Sequence, residues 1–149
     1  MTGFETRRAV PAEGAALCAL LDASYEPYRD RGIAIPDVTE GLDAEIAVGR
    51  VWVATQNRDI LGLLNLSVTP PNAHLINVAV SANAKGQGVG GALIRHAIAQ
   101  AERAGCTTLD LGTHADLSEN ISLYQHLGWG IIKQDAQRVR MRLALNRGG

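Results

Sequence analysis

The residues from Gly86 to Gly91 include four glycines, and an amphipathic helical pattern follows them directly. The first turn of a helix carries backbone N–H groups without intrahelical partners, together with the positive end of the helix dipole. Glycines at such a turn allow a phosphate group to approach the backbone closely. The segment therefore predicts an anion-binding loop, most suitably for a pyrophosphate. The alternative is a plain connecting turn, although uncompensated glycines inside a helix cost about 1 kcal/mol each.

Three phosphate-binding motifs compete for this segment. A P-loop requires a lysine followed by serine or threonine at its end, and none stands there. The dinucleotide-binding pattern G-x-G-x-x-G is present at Gly86, Gly88 and Gly91, with Asp110 downstream. That pattern expects a tight turn directly after its strand, whereas the preceding strand here ends near Val80. A nucleotide-binding role is therefore the weaker interpretation.

A third pattern fits the segment better. Residues 85–90, KGQGVG, resemble motif A of the GNAT superfamily of N-acetyltransferases, written R/Q-x-x-G-x-G/A, with a lysine at the first position. The preceding strand-like NVAV and the segment ENISLYQHLGW, Glu119 to Trp129, also resemble parts of that family. The resemblance implies an α/β fold with a mixed central sheet of about seven strands and helices on both faces.

The resemblance also implies acetyl-CoA as the acetyl donor, with coenzyme A as the product. In the family, the pantetheine arm pairs with the strand before motif A, and the pyrophosphate binds the amides of the motif. Asn120 and Tyr124 correspond to family positions near the cofactor. The expected cofactor-binding residues are Val78, Ala79, Val80, Lys85, Gly86, Gln87, Gly88, Val89, Gly90, Gly91, Asn120 and Tyr124.

The implied reaction transfers the acetyl group to a primary amine of a small molecule or peptide, by direct attack through a tetrahedral intermediate. Tyr124 is the expected catalytic residue, because a phenol with a pKa of about 10 is neutral at pH 7 and can protonate the departing thiolate. Packing against the core is the alternative role of this tyrosine. No base can be assigned to Cys18 or Cys106, so no covalent enzyme intermediate is expected. A non-catalytic acyl-CoA-binding module is the alternative function.

The general base stays open at this level. Many relatives carry a glutamate on the fourth strand, and this chain has none there. His74 and His114 are candidates because imidazole titrates near neutral pH, and Asp110 or Glu119 could act through water. Asn77 could orient a water chain that serves without a single base.

The segment from Ser24 to Val38 predicts a loop with one helical turn, because Pro27, Gly32 and Pro36 interrupt the helical pattern. In the family, the region after the first helix lines the acceptor site. An arginine there would attract a carboxylate or phosphate of the acceptor. The alternative is a solvated loop whose tyrosines cover the edge of the core. The candidate substrate-binding residues are Tyr25, Tyr28 and Arg29.

Hydrophobic periodicity predicts an alternation of strands and helices. Strands are expected at 4–9, 51–55, 60–68, 74–80, 107–112, 129–134 and 139–145, and helices at 11–23, 39–48 and 118–127, besides the long helix that ends before Gly105. The strand at 107–112 should lie parallel to the strand at 74–80, since a helix connects them. A single N-acetyltransferase domain is expected over 4–145, followed by a frayed tail at 146–149.

The composition limits the classes of partner. The 149 residues are 46% hydrophobic with a formal net charge of −1, so no basic excess suggests nucleic acid. The chain has no apolar stretch of membrane-spanning length and no signal-peptide pattern. Cys18 and Cys106 stand in apolar patterns typical of a reducing cytosol, and the four histidines lack metal-ligand spacing. We expect a cytoplasmic, metal-free enzyme with an amine acceptor, and a homodimer is one expected assembly.

Overall fold

The computed structural model describes residues 3–34 and 37–145. Its strands are β1 (Glu5–Arg8), β2 (Val51–Gln56), β3 (Asp59–Thr69), β4 (Asn72–Val80), β5 (Thr108–His114), β6 (Gly130–Gln134) and β7 (Arg138–Ala144). Its helices are α1 (Gly14–Asp30), α2 (Leu42–Ala47), α3 (Val89–Arg103) and α4 (Ser118–His126). The predicted tail at 146–149, and Pro36 of the predicted loop, lie outside the described residues.

The strands form a seven-stranded mixed sheet in the order β1-β2-β3-β4-β5-β7-β6. β4 and β5 are parallel, as predicted from the helix that connects them. The pairs β1–β2, β2–β3, β5–β7 and β6–β7 are antiparallel. The sheet and its helices confirm the predicted α/β fold class.

The described chain forms two compact units. The first unit falls within Met1–Asn65 and Asn77–His96, and the second within Leu66–Ile76 and Ala97–Gly149. In the first unit, Leu17 and Leu21 lie one turn apart on α1 and are fully buried in a core with residues of α2 and the strands. Burial of each such side chain contributes about 2 kcal/mol.

α1 ends at Asp30, so the first half of the predicted loop is helical, and the helix runs further than the one turn predicted there. Pro27 removes one helical hydrogen bond, but its position on the helix is exposed. The buried stripe that includes Leu21 continues at helical spacing into Tyr25 and Tyr28, which are partly buried. Packing of this stripe outweighs the lost hydrogen bond and carries the helix past the proline.

α2 begins at Leu42, three residues later than the predicted start at Thr39. The backbone N–H and the hydroxyl of Thr39 donate to the Asp37 carboxylate, at 3.0 and 2.7 Å. Gly41 occupies the N-cap with a φ of 79°, a left-handed conformation that favours glycine.

In the second unit, β5 and β7 each present one apolar face to the core. Leu109, Leu111, Val139 and Met141 alternate with more polar residues and are at most 2% exposed. The indole N–H of Trp129 donates to the Leu109 carbonyl at 2.9 Å, which fixes the chain after α4 to β5. No helix within 3–34 and 37–145 combines the length and the apolar character needed to cross a membrane.

Candidate functional site

The glycine loop, residues 85–91, contains two glycines in the left-handed region. Gly86 has a φ of 83° and Gly88 a φ of 82°, and a Cβ at either position would meet no atom within 4 Å. These glycines are therefore required by backbone conformation and not by crowding. The open space above them is where a ligand could approach the main chain.

The helix that follows presents its first amides at this loop. The first helical hydrogen bond of α3 runs from the Ala92 N–H to the Gly88 carbonyl, at 3.1 Å. The N–H groups of Val89, Gly90 and Gly91 precede that bond, so they are the amides that a helix start leaves for a cap, water or a ligand. Together with the helix dipole they can bind an anion.

Two buried residues flank the exposed part of the loop, residues 85–88. Ala84 and Val89 are each 1% exposed, whereas Lys85, Gly86, Gln87 and Gly88 between them are exposed. Residues 85–88 therefore form an exposed segment between two residues that are packed in the protein interior.

Gly62 supports the same loop, although it belongs to no sequence motif. A Cβ at Gly62 would lie 2.8 Å from the Ala79 carbonyl oxygen, 3.0 Å from Val89 Cγ1 and 3.1 Å from Leu93 Cδ1. The missing side chain lets β3 approach both β4 and the start of α3. A glycine isolated within a strand pattern is the signal that could have identified this contact.

β4 leads into the loop and carries the other predicted cofactor-binding residues. Ala79 is buried in the core, and Val78 and Val80 are partly exposed. The parallel register of β4 with β5 covers Asn72 to Leu75, so Val78 and Val80 lie in the part of β4 beyond that register. Main-chain groups in that part of β4 are the predicted partners of a pantetheine arm.

The predicted acceptor residues lie on the last two turns of α1. The Tyr25 hydroxyl donates to Asn77 Oδ1 at 3.2 Å, and the Tyr25 and Tyr28 rings meet edge to face with centroids 6.1 Å apart. The structure thus brings Tyr25 to Asn77 of β4, and Tyr28 packs against Tyr25. Arg29 instead pairs with the exposed Asp22 carboxylate at 2.9 Å, which partly neutralises the charge predicted to attract an acceptor.

In the second unit, the structure places Asn120 and Tyr124 one turn apart on α4, both partly buried. The Tyr124 ring meets Trp129 edge to face, with centroids 5.4 Å apart. The Trp129 backbone N–H donates to the Tyr124 carbonyl at 2.9 Å. Since Trp129 is bound to β5, the position of the tyrosine is set by a buried anchor.

His74, Asp110 and Arg142 form one row across β4, β5 and β7. Arg142 donates to both oxygens of Asp110, at 2.7 and 2.9 Å, so this carboxylate is already engaged. Burial lowers the pKa of His74, the charge of Arg140 lowers it further, Asp110 opposes the shift, and Arg138 adds to it. A neutral imidazole at pH 7 can accept a proton.

His114, another candidate base, has one of its two ring nitrogens occupied by a hydrogen bond. Its Nδ1 accepts a hydrogen bond from the Asp116 backbone N–H at 3.0 Å, so only the other ring nitrogen remains for chemistry. Within the described ranges, no group of three or more histidine, cysteine, aspartate or glutamate residues could hold a metal ion.

The chain matches a family model and is similar to curated proteins. The model of the Acetyltransferase (GNAT) family matches residues 16–129. The [ribosomal protein bS18]-alanine N-acetyltransferase of Escherichia coli (strain K12) is 36% identical over 75 residues, which are 50% of this chain and 51% of that protein. The uncharacterized N-acetyltransferase YvbK of Bacillus subtilis (strain 168) is 29% identical over 91 residues, 60% of this chain and 59% of that protein. This chain thus spans about half the length of the curated relatives it matches.

A solved structure extends the likeness to the whole fold. The crystal structure of the PaiA N-acetyltransferase from Thermoplasma acidophilum, in complex with coenzyme A, superposes with a TM-score of 0.83. The two chains are 17% identical, and the match covers 95% of this chain and 99% of that one. At this identity the likeness concerns the fold.

Proposed function

Since this chain belongs to the GNAT family of acetyltransferases, we propose that it transfers the acetyl group of acetyl-CoA to a primary amine of a small molecule or peptide. The observation that carries this proposal is the glycine loop. Its left-handed glycines, its open space and the first amides of α3 suit a diphosphate. We expect the enzyme to work in the cytoplasm.

The residues present fit coenzyme A in two places. The amides of Val89, Gly90 and Gly91 would bind the pyrophosphate, and the main chain of Val78 and Val80 would pair with the pantetheine arm. The structure from Thermoplasma acidophilum shares the fold and holds coenzyme A, which supports the choice of cofactor. Most of these contacts are made by main-chain groups, so they do not depend on the lysine at the first position of the motif.

Acetyl-CoA supplies a thioester that a neutral amine can attack directly. Tyr124 would donate its phenolic proton to the departing sulfur, and its contact with Trp129 would hold the ring in place. His74 is the base that the second unit favours, because its lowered pKa keeps it neutral and Asp110 is engaged by Arg142. Asn77, which accepts the Tyr25 hydrogen bond, would orient water or the amine.

The test is release of free thiol from acetyl-CoA in the presence of amino acids, polyamines, aminoglycosides and peptides, with mass spectrometry of the acetylated product. Thiol release that depends on one class of amine is the expected result. Coenzyme A binding without transfer to any amine would favour the acyl-CoA-binding module. Absence of coenzyme A binding would contradict the proposal altogether.

Tyr124→Phe tests the proposed proton donor. The variant keeps the ring that packs on Trp129 but removes the hydroxyl, so we expect kcat to fall about a hundredfold while coenzyme A affinity stays unchanged. Steady-state kinetics and calorimetric titration measure the two quantities. An unchanged kcat would assign Tyr124 to packing alone.

A further inference from the structure

β7 carries a row of three arginines on one face. Arg138, Arg140 and Arg142 are exposed, whereas Val139 and Met141 between them are fully buried. The alternation follows the strand period of two, so the three guanidinium groups leave β7 on the same side. The other side of the strand belongs to the core.

Among the described residues, ion pairs balance only part of this charge. Arg142 has a bidentate partner in Asp110, at 2.7 and 2.9 Å. Across 3–34 and 37–145, the structure gives Arg138 and Arg140 no ion pair within 4.0 Å. The nearby Asp135 accepts the backbone N–H groups of Gln137 and Arg138 at its Oδ1, at 2.8 Å each. These bonds lower the pKa of its carboxyl, and the charges of Lys133 and Arg138 lower it further, so Asp135 offsets part of their charge.

A fourth cation stands directly opposite the row. The register of β6 with β7 pairs Lys133 with Arg140, and directly paired residues share a face of the sheet. Like charges in this arrangement destabilise a strand pair. Lys133, Arg138 and Arg140, called here the cationic face, therefore form a site at which a bound anion would relieve repulsion.

The sheet also makes room for this face. A Cβ at Gly112 would lie 2.8 Å from Arg138 Nη2, so the absent side chain lets the guanidinium lie against β5. Gly112 pairs with Arg140, and it is the first residue of β5 beyond the register with β4, which ends at Leu75 and Leu111. The charges of Arg138 and Arg140 reach β4, since both lower the pKa of His74.

We propose that the cationic face binds an anionic group of the acetyl acceptor, either a carboxylate or a phosphate. The planar guanidinium forks match both groups with two parallel hydrogen bonds. That the bound anion belongs to an acetyl acceptor rests on the proposed function. The anion site itself is independent of that function. Arg142 remains paired with Asp110, and this ion pair links β7 to β5 next to the cationic face.

The first experiment measures binding without catalysis. Succinate and inorganic phosphate are titrated into the protein while the NMR signals of the Gly112 amide and the Arg142 Nε–H are followed. We expect saturable shifts for the native protein, and about tenfold weaker binding or none for Arg138→Gln/Arg140→Gln. The control Arg58→Gln/Arg103→Gln removes the same charge from two exposed arginines elsewhere and should behave as native.

The second experiment measures acceptor choice. Ethanolamine, β-alanine and O-phosphoethanolamine offer one primary amine together with no anionic group, a carboxylate or a phosphate. We expect the ratio of kcat/KM for the better anionic acceptor over ethanolamine to fall about tenfold in Arg138→Gln/Arg140→Gln, through KM and not kcat. The better of the two anionic acceptors identifies the group.

The outcomes separate this inference from the proposed function. If no amine is acetylated, the proposed function fails, and the NMR titration alone decides the anion site. If succinate and phosphate bind the double variant as they bind the native protein, or bind neither, the cationic face is not an anion site. An unchanged ratio of kcat/KM values in an active enzyme would also overturn the proposal.

Discussion

The glycine loop and the cationic face would both recognise anions, but they are built in opposite ways. The loop offers main-chain amides, and its side chains contribute little beyond allowing the backbone conformation. The cationic face would bind through guanidinium and ammonium groups of side chains. The backbone groups of its strands are hydrogen-bonded to neighbouring strands. A main-chain site is encoded within a few consecutive residues, whereas a side-chain site depends on which strands become neighbours.

The largest expected effect comes from breaking the loop. Gly88→Val should weaken coenzyme A binding about a hundredfold, or about 2.7 kcal/mol, because a β-branched residue is strained at a φ of 82° and the loop must rearrange. Isothermal titration calorimetry with coenzyme A measures the change.

Gly41→Val is the matched control, since Gly41 has a φ of 79° and a Cβ added there would also meet no atom within 4 Å. It should lose similar stability and keep its affinity. Lys85→Ala should change affinity little, because the loop acts through its backbone. Equal loss of affinity in both glycine variants would contradict a special role of the loop.

A second experiment tests the support beneath the loop. Gly62→Ala should lower the free energy of unfolding by about 2 kcal/mol, since the new methyl group overpacks against the Ala79 carbonyl and two side chains of α3. Urea denaturation measures the change in midpoint at constant slope. Gly130→Ala is the control, because its Cβ would meet no atom within 4 Å, and it should leave the midpoint unchanged.

The smallest expected effect concerns the row on β4, β5 and β7. The pKa of His74 is lowered in the folded protein, so in the acid range the unfolded chain binds more protons at this residue. At pH values above the pKa of this histidine in the unfolded chain, His74 has no effect on the free energy of unfolding. As pH falls below that value towards the pKa in the folded protein, the free energy of unfolding decreases. Unfolding free energies of the native protein and His74→Gln, measured from pH 7 to pH 5, should show a flatter profile for the variant. Parallel profiles would contradict the lowered pKa.

The sequence predicted the features that depend on neighbouring residues. Glycines followed by an amphipathic stripe predicted the loop and α3, and alternation of apolar residues predicted β5 and β7. The same local reasoning failed at Pro27, where the usual helix-breaking effect was outweighed by burial of the α1 stripe. Propensity is weak against tertiary packing, and only the fold shows how much of the stripe is buried.

Local sequence patterns could not predict contacts that form only when the chain is folded. In the sequence, Gly62 is simply one glycine within an apolar strand. Only the structure shows that a Cβ at this position would collide with the Ala79 carbonyl. Arg29 was predicted to lie in a loop, and the continuation of α1 through it places the Asp22 carboxylate 2.9 Å from its guanidinium. Lys133 and Arg140 become neighbours only through the register of β6 and β7, which the sequence does not specify.

Every residue except proline supplies an amide N–H, so the donors at Val89, Gly90 and Gly91 survive almost any exchange of side chains. The cationic face has no such protection, because one substitution at Arg140 removes its fork. Libraries that randomise residues 133–142 should therefore yield altered acceptor choice far more readily than altered donor choice, which makes this strand pair the place to begin re-engineering the protein.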